Sequence, residues 1–268
     1  MLMMASSAMA QSSQRGIRNA TLQQIVKAQN GSANKALFNA IANNNIDDLV
    51  KNPANQAPVD THFSIETPKQ SIHNQKSSGR CWMFSGFNVL RSNFAKNDKQ
   101  GRVVEFSQDY LFFYDQLEKA NLMLQGVIDT GKKSIEDPQV QFFFKNPIND
   151  GGTFCGVADL AEKYGLAPMS AQPETFSSNN TSKMSKLISS KLREYGLELR
   201  KMVAQGKKSS AIQARKDEML ATVYHMLSLT LGEPVKEFTY AFRDKDGKRS
   251  FSGRPQRPER AWQSQSGA

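Results

Sequence analysis

The chain has 268 residues, 38% of them hydrophobic, and carries 35 Lys and Arg against 25 Asp and Glu for a formal net charge of +10. That length excludes a mini-protein held by staples, and its two cysteines, Cys81 and Cys155, exclude a disulfide-built fold or a Cys/His metal cluster. No stretch reaches the ~20 apolar residues of a spanning helix, so no membrane partner, metal or cofactor is expected.

Residues 1–31 read as a polar tail or signal remnant. Met1–Ala10 closes on Ala8-Met9-Ala10, the small-residue pattern of a signal-peptidase site, but lacks a basic start; Asn30-Gly31 is a turn pair. Residues 32–69 are expected to hold a helix over about 33–51, interrupted at Asn43-Asn44-Asn45, and then an extended arm dictated by Pro53, Pro58 and Pro68. In 70–174 the loop Ser77-Ser78-Gly79-Arg80 precedes Cys81-Trp82-Met83-Phe84, and positions 83, 84, 87, 90 and 94 keep helical spacing. Ser107 is the expected N-cap of a helix through Tyr110–Tyr114 toward Val127-Ile128. Asn149-Asp150-Gly151-Gly152 is a loop, followed by a helix over about 153–163 closed by Gly165.

Residues 175–248 are expected to form two amphipathic helices divided near Gly206, then a strand at Glu237–Phe242 ending at the Asp244–Gly247 turn. The span 183–218 holds ten basic and four acidic residues, a surplus of six. Such a surplus suits nucleic acid or another polyanion, or a solvated face. Residues 249–268, with Pro255, Pro258 and four Arg, offer little to bury and read as disordered.

Chemistry concentrates at Cys81. A nucleophilic thiol needs a base and donors aimed at the developing oxyanion, and the unpaired N–H groups of a helix's first turn favour negative charge on its sulfur. Gln75, six residues upstream across a Ser/Gly loop, can fold back to set its amide beside the Cys81 N–H as a two-donor oxyanion hole. Arg80 adds positive charge nearby, and Trp82 either excludes water or is core. Read without further context, Cys81 is better taken as a buried inert thiol, Gly151-Gly152 can be an ordinary tight turn, and Cys155 a core residue.

The segment Gln75-Lys76-Ser77-Ser78-Gly79-Arg80-Cys81-Trp82-Met83-Phe84-Ser85 resembles the active-site stretch of papain-like cysteine peptidases, in the form found in the bleomycin hydrolase/aminopeptidase C branch. Phe106–Phe113, Asn146–Gly152, Glu162–Gly165 and Phe242–Gly247 are similar to that branch as well, so the resemblance covers roughly 32–248. It implies an α+β papain-like fold, here mainly its helical half plus a helical insertion at 175–235, without most of the barrel-like half. It also implies an aminopeptidase or oligopeptidase acting on peptides through a Cys81 thiolate and an acyl-enzyme. In that reading Cys81 is the nucleophile, Gln75 the oxyanion donor, and Gly151, Gly152 and Trp82 bind substrate. A homo-hexameric ring and a cytoplasmic location are implied too, with export as the alternative if Met1–Ala10 is a signal remnant.

The family's base is a histidine oriented by an Asn, both well downstream of the cysteine. The sequence has only His62, His73 and His225. Two precede Cys81 and the third lies in a helix, so none is assigned as base, and weak or absent activity is expected. The resemblance stops near Lys248, where the Arg- and Pro-rich tail begins, which suggests a shifted reading frame and a non-native 249–268.

Overall fold

In the computed structural model, which describes residues 16–29, 35–55, 60–67, 70–97, 104–244 and 247–253, the chain separates between Ser64 and Ile65 into two units. The first holds α1 (Asn19–Gln29), α2 (Lys35–Asn43), α3 (Ile46–Leu49) and a single 3-10 turn at Pro53–Asn55. The stretch read as a tail therefore contains a helix. Its 11 residues include neither Gly nor Pro, and good helix formers such as Leu22, Gln23, Gln24 and Lys27 outweigh the overall polarity. The Asn43–Asn45 interruption has a clear physical form. Asn43 and Asn44 donate their side-chain amides to the carbonyls of Asn39 and Ala40 at 2.9 Å each, and Asn45 caps α3 by accepting from the Asp47 N–H. The Met1–Ala10 pattern lies outside the described residues.

The second unit is a helical assembly with one hairpin. Its helices are α4 (Cys81–Asn97), α5 (Gln108–Asp129), α6 (Pro138–Lys145), α7 (Phe154–Tyr164), α8 (Phe176–Asn179), α9 (Ser182–Ala204) and α10 (Ser209–Leu231). Capping sets most of the boundaries. Ser107 accepts from Tyr110 N at the head of α5, Asp137 caps α6 ahead of Pro138, Thr153 caps α7, and Gly165 closes α7 at φ 80°. Helix α5 is the centre: Leu111, Phe112, Phe113, Leu124 and Val127 are fully buried, with α7, α9 and α10 packed around it and α4 packed on α7. Helices α9 and α10 form a hairpin whose short connection turns at Gly206, φ 68°. Among the described residues no helix is long and apolar enough to cross a membrane.

The strands β1 (Phe238–Asp244) and β2 (Gly247–Gly253) pair antiparallel, from Phe238 opposite Gly253 to Asp244 opposite Gly247. Residues 249–253, read from the sequence as disordered, are thus part of a strand. Ladder bonds are made by the backbone, so the stretch Lys248–Ser252, with Phe251 as its one apolar residue, can pair once β1 offers an edge. Residues 254–268 lie outside the described residues.

Much of the basic surplus of 183–218 has internal partners. Arg193 donates to the Phe144 and Lys145 carbonyls at the end of α6, and Arg200 to the Thr130 and Lys133 carbonyls. Arg215 pairs with Glu198 and Glu218, Lys191 with Glu194, and the buried Lys216 donates to Gln125. Four of the ten cations, Arg193, Arg200, Arg215 and Lys216, therefore knit the helical hairpin together or to the segment before it, while Lys191 pairs within α9.

Candidate active site

The loop before Cys81 is closed by its own polar residues. The Gln75 amide donates to the Ser78 carbonyl at 2.6 Å, and the Ser78 hydroxyl returns a bond to the Gln75 carbonyl at 2.7 Å. Lys76 sits at φ 55°, and Asn74 accepts from its N–H. The Gln75 side chain is thus turned back onto its own loop at Ser78. One of its two amide hydrogens serves Ser78, leaving one for another acceptor.

Cys81 is the first residue of α4 and is exposed. Met83 and Phe84 return their N–H groups to the Arg80 carbonyl. The Cys81 N–H, heading the helix, has no carbonyl four residues back. Among the described residues the sulfur's polar contact is the Gly79 carbonyl, 4.0 Å away. The Arg80 guanidinium is bonded to Glu174 and Ser78 rather than to this sulfur. It is wholly buried, donates two bonds to Glu174 (Nη1–Oε1 3.0 Å, Nη2–Oε2 2.7 Å) and one to Ser78 Oγ, and lies over the Phe84 and Phe112 rings. The sequence showed a cation next to Cys81 but not its anion 94 residues away. That pair anchors the loop from beneath.

The second segment is the glycine loop. Trp82 is buried and donates its indole N–H to the Asp150 carbonyl at 2.7 Å. Gly152 passes so close to that indole that a Cβ would stand 2.5 Å from Cε2, which requires glycine there. Both Gly151 and Gly152 remain exposed. Lys119 of α5 donates to the Gly151 and Asn149 carbonyls at 2.6 and 2.8 Å and to Asp115 at 2.7 Å; Gln116 adds a bond to Asn149. Burial pushes the Asp115 carboxyl up, against the pull of Lys119. Trp82 is therefore a platform beneath the glycines, with its ring covered rather than open to solvent.

Deeper in, Asp109 accepts from Gln172 at 2.9 Å, and burial pushes its carboxyl up to about 7, with the nearby Glu174 charge acting the same way. His73 is engaged elsewhere: its Nδ1 accepts from Arg91 and its Nε2 faces Glu105 at 3.0 Å. His225 is exposed on α10, and among the described residues neither histidine contacts Cys81. Cys155, expected in the core, is exposed because it lies in the first turn of α7 beside the half-exposed Phe154.

The structure thus gathers Gln75, Cys81, Trp82, Gly151 and Gly152 around one loop pair. The sequence reading missed Lys119, Gln116 and Glu174, whose signal is spatial. Only the Asp115–Lys119 spacing of four residues on a helix hinted at a pair.

Comparison with known proteins adds three findings. The model of the peptidase C1-like family matches residues 17–256. Among curated proteins, aminopeptidase C of Lactobacillus delbrueckii subsp. lactis is 38% identical over 209 residues, covering 78% of this chain and 46% of the relative. Human bleomycin hydrolase is 39% identical over 188 residues, covering 69% and 41%. The crystal structure of PepW from Lactobacillus rhamnosis superposes with a TM-score of 0.82 at 34% identity, over 94% of this chain and 56% of that one. The chain spans about half the length of the curated relatives it matches.

Proposed function

From the premise that this chain belongs to the peptidase C1-like family of cysteine peptidases, with its papain-like fold, we propose that it carries the nucleophile-bearing wall of a cysteine aminopeptidase or oligopeptidase. The observation that carries this reading is an exposed Cys81 at the head of α4, whose neighbour Trp82 supports the exposed Gly151-Gly152 backbone.

In the proposed reaction the Cys81 sulfur, its proton taken by a base, attacks the scissile carbonyl carbon. The oxyanion receives hydrogen bonds from the Cys81 N–H and the remaining Gln75 amide hydrogen. Collapse breaks the C–N bond, releases the amine and leaves an acyl-enzyme, which water hydrolyses. Gly151 and Gly152 would hold the peptide backbone in extended pairing. An imidazole base would come from sequence that the relatives have and this chain does not span, since His73 is committed to Arg91 and Glu105. A homo-hexamer and a cytoplasmic site of action belong to this proposal by likeness to the family. The internal partners of Arg193, Arg200, Arg215, Lys191 and Lys216 weigh against nucleic acid as the partner.

The test is covalent labelling by a peptidyl epoxysuccinate, followed by mass spectrometry. Modification confined to Cys81, abolished in Cys81→Ser and slowed about tenfold or more in Gln75→Ala, is the expected result. Labelling of Cys155 at an equal rate would remove the basis for the assignment.

A further inference from the structure

The two loops of the site meet at one side chain that neither the sequence reading nor the family likeness assigned. Asp150 Oδ2 accepts from the Gly79 N–H at 3.0 Å, two residues before Cys81, and from the Thr181 hydroxyl; Oδ1 accepts from Ser185 Oγ at 3.3 Å. Its backbone carbonyl takes the Trp82 indole N–H. The approach is so close that a Cβ on Gly79 would lie 2.9 Å from the Asp150 Cβ, so position 79 must be glycine.

Thr181 and Ser185 belong to the head of α9. Thr181 is the N-cap of that helix but makes no capping bond with its own side chain; its hydroxyl goes to Asp150 instead. A carboxylate beside a helix start is favoured by the helix dipole. The same stretch pairs with the nucleophile loop through its backbone: Ser77 N donates to Asn179 O at 3.0 Å and Thr181 N to Ser77 O at 3.3 Å, as a parallel bridge of Ser77 with Asn180. Lys119 and Gln116 hold Asn149 and Gly151 from the α5 side. The spacing between the Cys81 loop and the glycine loop is spanned at Trp82 by the indole bond to the Asp150 carbonyl and at Gly79 by the Asp150 carboxylate.

We propose that Asp150 is a positioning residue: its carboxylate, held by the head of α9, sets the distance between the Cys81 loop and the Gly151-Gly152 backbone along which a peptide lies. The helical insertion is then part of the site. This rests on the peptidase reading above. The three donors are neutral, and a carboxylate can accept all of them, whereas an Asn presents one accepting oxygen to the same set.

The experiment compares Asp150→Asn, Asp150→Ala and Thr181→Val in the whole 268-residue chain. It uses two Cys81 reagents, iodoacetamide, which needs only the thiol, and a peptidyl epoxysuccinate, which must also lie along the glycines. It adds amide hydrogen exchange at Gly79 and 151–152. The expected result is a weakening of epoxide KI of about 10- to 100-fold in Asp150→Ala, smaller in Asp150→Asn and Thr181→Val, with the iodoacetamide rate within about twofold of wild type. Exchange at Gly79 should quicken by about tenfold in Asp150→Ala. Equal loss toward both reagents together with a lowered thermal midpoint, or no change toward either, overturns the proposal. Should wild type react with iodoacetamide but not with the epoxide, the peptidase reading fails, and exchange decides the brace alone: unaltered exchange at Gly79 overturns it, and quickened exchange supports it.

Discussion

The wall around Cys81 and the exposed ion pairs along α9 and α10 both draw on charged and polar side chains, and they use them in opposite ways. In the wall the polar groups are wholly or half buried, and their partners are distant in sequence: Arg80 with Glu174, 94 residues apart, and Gly79 with Asp150, 71 apart. On the hairpin, Lys191 pairs with Glu194 and Arg215 with Glu218, each three residues along an exposed helix face. The first kind fixes where segments lie relative to one another. The second holds two flexible side chains in water for little gain. Charge count therefore says nothing about importance here; burial and sequence separation do.

The strongest way to break that comparison is to remove the anion beneath the Cys81 loop. Glu174→Gln leaves the fully buried Arg80 guanidinium without its counter-charge, and an uncompensated buried ion costs about 3–5 kcal/mol. Urea unfolding followed by circular dichroism should show a large fall in midpoint with an unchanged slope. A loss below about 1 kcal/mol would place the wall on the footing of a surface pair.

A second test sharpens the contrast through pH. Asp109, behind the same loop, has its carboxyl raised to about 7 from an ordinary value of 3.8, with burial the largest cause. The folded state therefore binds this proton more tightly than the unfolded chain does. Its contribution is fully present below about pH 4 and is lost as pH rises through about 7, by ~2–4 kcal/mol at most. Asp109→Asn cannot ionise, so the variant's stability should be flatter from about pH 4 to 7. The measurement is the thermal midpoint against pH; parallel profiles for wild type and variant would count against an ionising Asp109.

How much of this was legible beforehand follows from the same division. Ser107, Gly165 and Gly206 act on their own helices, so their residue types announced caps and turns correctly. Gln75 was singled out by its place upstream of Cys81, and Gly152 by the family likeness. The structure gave Gly152 a further reason, the indole beneath it. Arg80 was misread because its partner lies across a chain separation that no local pattern encodes. Helix α1 was missed because polarity was allowed to outweigh propensity, and β2 because low apolar content was equated with absence of backbone pairing. Arg80 turned on a long-range contact, β2 on backbone pairing, and α1 on local propensity.

The smallest effects test whether the hairpin's cations really fall into two classes. Arg200 and Lys201 are neighbours on α9 with like charge. Arg200 is half buried and donates to the Thr130 and Lys133 carbonyls, which closes the turn after α5, whereas Lys201 is exposed. Arg200→Ala leaves those carbonyls to water and should cost about 1–2 kcal/mol. Lys201→Ala should leave the urea midpoint where it is. The same two variants separate charge from architecture, since each removes one positive charge. Equal losses would mean that net charge, rather than the reach of one guanidinium to two carbonyls, governs this surface. An Arg200→Lys variant, which keeps the charge but loses the fork that spans two carbonyls, should fall near Arg200→Ala.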